Sequence, residues 1–318
     1  MKQGIAMFKT PLALAILASL VLLALGEILS PGFAQGQQIM RLLTVAALLG
    51  IVAAGQNLVI LGGREGIDLS VGAMVSWGAV LAGNAMQGSD GAILWGLLMA
   101  VAVPTLIGLV NGLGVTVLRI PPLVMTLGMT AVLQGGLVVY SQGVPSGRAA
   151  PALAAFVNQP VLLGVPGIVF VWVALGLAMA WLLTRTTLGQ AIYALGSNER
   201  AAWLVGLPVA GIRVALYAFS GFFAGLAGFL LIGYTGTSFI SVGDQYVLPA
   251  IIAVVIGGTS LAGGSGHYWG TMAGAVALTI LQSVLITLNM EFWARQMVFG
   301  VTLLGLMLLY GRQKQLRI

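Results

Sequence analysis

The chain has 318 residues, 59% hydrophobic and 6% charged, with a net charge of +6, a single histidine and no cysteine. A soluble domain carries roughly 25% charged residues, so a water-facing globule is excluded, and a mean hydropathy of +1.08 makes lipid the solvent. The missing cysteines exclude a disulfide framework, a thiolate nucleophile and a cysteine metal site, and one histidine excludes a histidine-based site.

A helical span needs ~20 mostly apolar residues. Breaks at Pro, Gly and charge clusters delimit ten of them, predicting an all-α integral membrane protein. The first, 11–29, follows Lys2 and Lys9 as the apolar stretch of a secretory signal does, and Gly32-Phe33-Ala34 weakly resembles a cleavage site. Its length marks it instead as a retained span. Next come 42–61, with Gln56 and Asn57; 66–83, with Asp68; 91–118, with Asn111; and 121–140, with Thr126 and Gln134. The connection 141–160, rich in Pro and Ala, reads as a loop or short re-entrant helix. After the sixth span, 161–183, the segment 184–211 is amphipathic: Arg185, Gln190, Asn198, Glu199 and Arg200 alternate with Ile192, Tyr193, Leu195 and Trp203. A polar segment of this size in a protein of short loops suggests docking. Spans 212–235, 246–261, 269–288 and 294–310 complete the chain. Long runs of Leu, Ala and Gly without period-two alternation argue against a β-barrel.

Ten spans put both termini on one side. With that side cytoplasmic, Lys2, Lys9, Arg64, Arg119, Arg185, Arg200, Arg213, Arg312, Lys314 and Arg317 lie inside, against Arg41, Arg148 and Arg295 outside. Ten against three obeys the positive-inside rule. Glu27, Asp90, Asp244 and Glu291 then fall at or near the outside. The basic residues are dispersed among short loops, without the clustering and interleaved aromatics of a nucleic-acid surface.

No Gly-Lys-Ser/Thr phosphate loop exists, because all three lysines lie near the termini. The run Gly257-Gly258-Thr259…Gly263-Gly264-Ser265-Gly266 lacks a lysine and is flanked by spans, and His267 beside it reads as a loop residue. Pairs at Gly108/Gly112, Gly221/Gly225 and Gly270/Gly274 mark close helix packing, more readily within the chain than between copies. Asp68, in Gly66-Ile67-Asp68-Leu69-Ser70-Val71-Gly72, is the sharpest ionisable residue in a span. It either caps a helix at its cytoplasmic end or takes part in transport or gating. Gln56, Asn57, Asn111 and Gln134 either line a water-filled path or hydrogen-bond between helices. Carboxylates placed at span ends rather than the midplane argue for an external energy source.

Three runs resemble the permeases of ribose-type ABC sugar importers, within the branched-chain amino acid/ribose permease superfamily. They are Gly66-Ile67-Asp68-Leu69-Ser70-Val71-Gly72-Ala73, then Asn111-Gly112…Ile120-Pro121-Pro122…Thr126-Leu127-Gly128, then Val255-Ile256-Gly257-Gly258-Thr259-Ser260-Leu261-Ala262-Gly263-Gly264. Gly189…Tyr193-Ala194-Leu195-Gly196-Ser197-Asn198-Glu199…Ala201-Ala202…Gly206 resembles that family's large cytoplasmic loop. The resemblance implies one transmembrane permease domain over 1–318, about ten helices akin to the vitamin B12 permease, and a bacterial inner-membrane location. It also implies a second permease copy or paralogue, a cytoplasmic ABC ATPase pair and a periplasmic sugar-binding protein. ATP and Mg would be held by the ATPase, with no cofactor in this chain. By the same analogy 184–211 is the coupling loop, with Asn198, Glu199, Arg200 and Gly206 at or near the contact. Asp68, Asn111, Thr126 and Gln134 are the candidates to line or gate the path. The run Gly62-Gly63-Arg64-Glu65-Gly66 is longer than the family's usual Gly-Gly before Ile-Asp, which loosens the substrate assignment. Branched-chain amino-acid and nucleoside permeases of the superfamily are the alternatives. A stand-alone channel or ion-coupled carrier would transport without an ATPase.

Overall fold

The computed structural model describes residues 11–63, 66–144 and 147–312, with the side chains of 306 and 309–312 excepted. In chain order the helices are α1 (Pro11–Leu29), α2 (Gly36–Leu61), α3 (Val71–Met86), α4 (Ile93–Thr116), α5 (Pro122–Tyr140), α6 (Pro151–Asn158), α7 (Gly167–Arg185), α8 (Thr187–Ser197), α9 (Glu199–Leu204), α10 (Val209–Thr235), α11 (Val247–Ile256), α12 (Tyr268–Thr287) and α13 (Phe292–Arg312). A helix stands at each of the ten expected spans, and α6, α8 and α9 occupy the two long connections. Seven are long and apolar enough to cross a membrane: α1, α2, Asp90–Thr116 including α4, α5, α7, α10 and α12. The chain is a multi-pass membrane protein. Lys2, Lys9, Arg64, Lys314 and Arg317, used in the charge count, lie outside the described residues, as does Glu65 of the lengthened Gly-Gly run.

Two spans differ from expectation. The third does not begin at Gly66: residues 66–70 are non-helical and α3 starts at Val71, leaving 16 residues. The eighth is helical only over Val247–Ile256, 10 residues. At 1.5 Å per residue neither matches a core of ~30 Å; a single 3-10 turn, Asp244–Tyr246, leads into α11, and non-helical backbone before α3 and after α11 runs inside the protein. That is tolerated only where protein or a water-filled cavity covers it.

α10 packs along α4, α3 and α2, while α12 packs along α1, α2 and α11. Lipid tails supply no hydrophobic drive between helices, so contact depends on close backbone approach. Gly108 and Gly112 of α4 meet the α10 backbone at Tyr217 and Val214, and Gly221 and Gly225 of α10 meet the carbonyls of Pro104 and Ala100. Gly270 and Gly274 do the same against Gly257 and Ala253. All three pairs are therefore intramolecular. A Cβ at Gly225 would overlap the Ala100 carbonyl, which is backbone and cannot swing aside. Gly225→Ala should destabilise the protein by about 1–3 kcal/mol, the range for overpacking, seen as a lowered unfolding midpoint in detergent; an unchanged midpoint would refute this packing.

In the connection 141–160, α6 buries Leu153 and Val157 against Gly233, and Asn158 Nδ2 donates to the Gly233 carbonyl at 3.0 Å. A two-strand hairpin follows, β1 (Pro160–Leu162) with β2 (Val165–Pro166). His267 is the N-cap of α12, its Nδ1 accepting from Gly270 N–H at 2.9 Å.

Candidate functional site

The non-helical approach to α3 is held by polar side chains from four helices. Asp68 is fully buried, and its Oδ1 accepts from Ser70 N–H at 3.0 Å and Ser70 Oγ at 2.6 Å. Its Oδ2 accepts from Ser220 Oγ of α10 at 2.7 Å. Asn111 Nδ2 of α4 donates to Ser70 Oγ at 2.9 Å. With the Gln56 amide turned so that its nitrogen faces an acceptor, it donates to the Asp68 carbonyl at 3.1 Å and accepts from Asp68 N–H at 3.2 Å. From α5, Thr126 Oγ1 donates to the Ile67 carbonyl at 3.4 Å and Thr130 Oγ1 to the Leu69 carbonyl at 3.2 Å. Backbone groups that a continuous helix would pair internally are thus met by side chains.

This corrects the simple capping reading. The N-cap of α3 is Ser70, which makes no side-chain cap bond, and Asp68 lies two residues earlier as the centre of an interhelical network. Among the described residues no cation pairs with it. Asp68, Asn111 and Thr126 come together here, each 0% exposed. Asn57 lies elsewhere: its Nδ2 donates to Thr259 and Thr271 at 2.9 and 3.0 Å, pinning the Gly-rich run to α2 and α12.

Gln134 stands apart, exposed on α5, where its Nε2 donates to Asp244 Oδ2 at 3.3 Å. It lies twelve residues into the 19-residue α5, about 18 Å along its axis, within a helix long and apolar enough to span. The chain after α10 descends to the first turns of α3, where Gly243 N–H donates to Ser76 Oγ at 2.9 Å and Gly243 packs on Gly72. Only Gly could follow this close path: a Cβ at 243 would overlap the Gly72 carbonyl.

The segment 184–211 is a platform of two short helices. α8 buries Gly189, Ala191, Ile192 and Leu195 against the bundle. Tyr193 Oη donates to the Gly266 carbonyl at 2.7 Å, and burial raises the phenol's pKa, so it stays a donor. Asn198 caps α9, accepting from Ala201 N–H at 3.0 Å. Glu199 pairs with Arg213 of α10 at 3.1 Å, and Arg200 is exposed. Gly206, at φ +83°, ends the platform in a left-handed turn that favours glycine. Trp203, Leu204 and Val205 are 67%, 70% and 76% exposed outside the spans. Between platform and bundle opens a cavity of about 1070 Å³, reaching Arg119, Pro121, Glu199, Arg213 and Tyr217.

Ser70, Ser220, Thr130 and Asp244 were missed from sequence. Ser220 had one signal: it is the lone polar residue of the stretch 218–233 and directly precedes the Gly221/Gly225 pair. Among the described residues no group of three or more His, Cys, Asp or Glu comes together to hold a metal.

The family described as "Branched-chain amino acid transport system / permease component" matches residues 38–307. The autoinducer 2 import system permease protein LsrC of Yersinia pseudotuberculosis serotype O:3 (strain YPIII) is 35% identical over 298 residues, 94% of this chain and 84% of its own length. The same protein of Yersinia pestis (strain Pestoides F) is equally similar over the same shares. No solved structure matches. The family match spans both half-length helices, the Asp68 clamp and the platform, and this chain belongs to that permease family.

Proposed function

We propose that this chain is the permease subunit of an ATP-driven importer that moves a monosaccharide-type solute across the bacterial inner membrane. The observation that carries the reading is the match over 94% of the chain to permeases named for autoinducer 2 import. In this reading residues 1–318 are one permease domain with ten crossings, a vitamin B12 permease-like topology and both termini in the cytoplasm. Two permease subunits, alike or paralogous, enclose the path. A periplasmic binding protein delivers the solute, and cytoplasmic ATPases holding ATP and Mg dock on 184–211 and drive alternating access. This chain has no catalytic role. Gln134 faces the path, while Asp68, Asn111 and Thr126 form the clamp behind it. Branched-chain amino acids and nucleosides are the alternative solutes, which the relatives named for autoinducer 2 import do not favour.

Proteoliposomes with the assembled complex and its binding protein decide between them. ATP-dependent uptake of ribose or autoinducer 2, but not of leucine or uridine, is the expected result. Leucine or uridine uptake alone would replace the sugar, and uptake without ATPase subunits would overturn the importer reading. Topology is tested separately on a chain free of cysteine. In right-side-out vesicles an impermeant maleimide should label Ser89→Cys and spare Ser197→Cys, both exposed positions. The opposite pattern would invert the orientation, and labelling of both would break the ten-crossing count.

A further inference from the structure

We infer that Asp244 and Gln134 form the solute-contact site of this permease, with Asp244 accepting hydroxyl protons of a neutral polyol. The inference rests on the importer reading and assigns its binding groups. A carboxylate, Asp244, and an amide, Gln134, stand together at 3.3 Å beside α5, six residues from the end of a helix long and apolar enough to span. Ionisable side chains within spans almost always face a bundle interior or a water-filled cavity. Both are exposed in the single chain, so water or a second subunit with a path between must cover them.

The surroundings fit a sugar better than an ion. Asp244 and Gln134 offer acceptors and a donor at fixed spacing, and among the described residues no cation pairs with Asp244. A few placed polar groups on an otherwise apolar face are the usual makeup of a small-molecule site. A zwitterionic amino acid would need a cation for its carboxylate, and this strip supplies none.

The test uses the assembled transporter. In vesicles, Gln134→Cys and Asp244→Cys should react with a charged methanethiosulfonate, and Val132→Cys, on the other side of α5 and 67% exposed, should not. In proteoliposomes Asp244→Ala should lower ribose or autoinducer 2 uptake by about ten- to a hundredfold, the range of a lost charge-assisted hydrogen bond. Assembly with the ATPase and membrane abundance should hold, and Asp244→Asn, keeping one acceptor, should recover part of the rate. A merely structural role would lower abundance together with uptake. Unreactive cysteines at 134 and 244, or unchanged uptake in Asp244→Ala, overturn the site. Wild-type complexes that import no sugar overturn the importer reading instead, and the labelling still decides whether the strip lines water.

Discussion

Asp68→Ala is expected to abolish the folded permease, while Asp68→Asn is expected to insert and transport. The carboxylate, 0% exposed, accepts from Ser70 N–H, Ser70 Oγ and Ser220 Oγ. Alanine would strand all three donors, at roughly 1–3 kcal/mol for each buried group left unmet. Because folded proteins are stable by only ~5–15 kcal/mol, that sum threatens the entry to α3 and the α3–α10 contact with it. Asparagine keeps the oxygen facing Ser70 and presents an amide that Ser220 Oγ accepts by turning its hydroxyl. The cost should be about 1 kcal/mol, a typical net hydrogen bond. Membrane abundance and the detergent unfolding midpoint give the first result, and uptake the second. An Asp68→Asn complex that assembles at wild-type abundance yet fails to transport would show that the negative charge itself serves gating. Wild-type stability of Asp68→Ala would remove the clamp altogether.

Much of the bundle was legible because apolar length is a direct consequence of bilayer thickness: α1 ends at its expected Leu29, and the limits of α5, α10 and α12 differ by three residues or fewer. The failures share one cause. Hydropathy cannot tell a helix from apolar non-helical backbone, so 66–70 and the residues beyond Ile256 were read as helix. The argument that carboxylates at span ends imply an external energy source is weakened by Asp68, which is fully buried at the centre of the clamp, and family membership carries the importer reading in its place. Asn111 and Thr126 were rightly singled out as polar, but their partners Ser70 and Ile67 lie 41 and 59 residues away, a pairing no local pattern reveals.

Trp203→Ser with Leu204→Ser is expected to leave the permease inserted and stable while releasing the ATPase. The structure makes this a cleaner test than reversing Glu199 and Arg200 together. Glu199 is tied to Arg213 at 3.1 Å, so any change there disturbs the joint between α9 and α10 as well as the surface. Trp203 and Leu204, by contrast, are 67% and 70% exposed on a platform anchored by other residues: Ile192 and Leu195 below, Asn198 at the cap, Tyr193 on the Gly266 carbonyl. Replacing exposed apolar side chains with serine should change folding stability by less than ~0.5 kcal/mol. If the side chains instead fill a groove on the ATPase, each loses ~1.5–3 kcal/mol of burial, and the pair together should weaken association by two or more orders of magnitude. Arg200→Glu, also at an exposed position, should weaken it less, because rim charges act mainly on encounter rates. Co-purification and solute-stimulated ATP hydrolysis in reconstituted complexes read the outcome. Full association of the double serine variant would move the contact off α9, whereas a loss of membrane abundance would mean that these side chains hold the permease itself together.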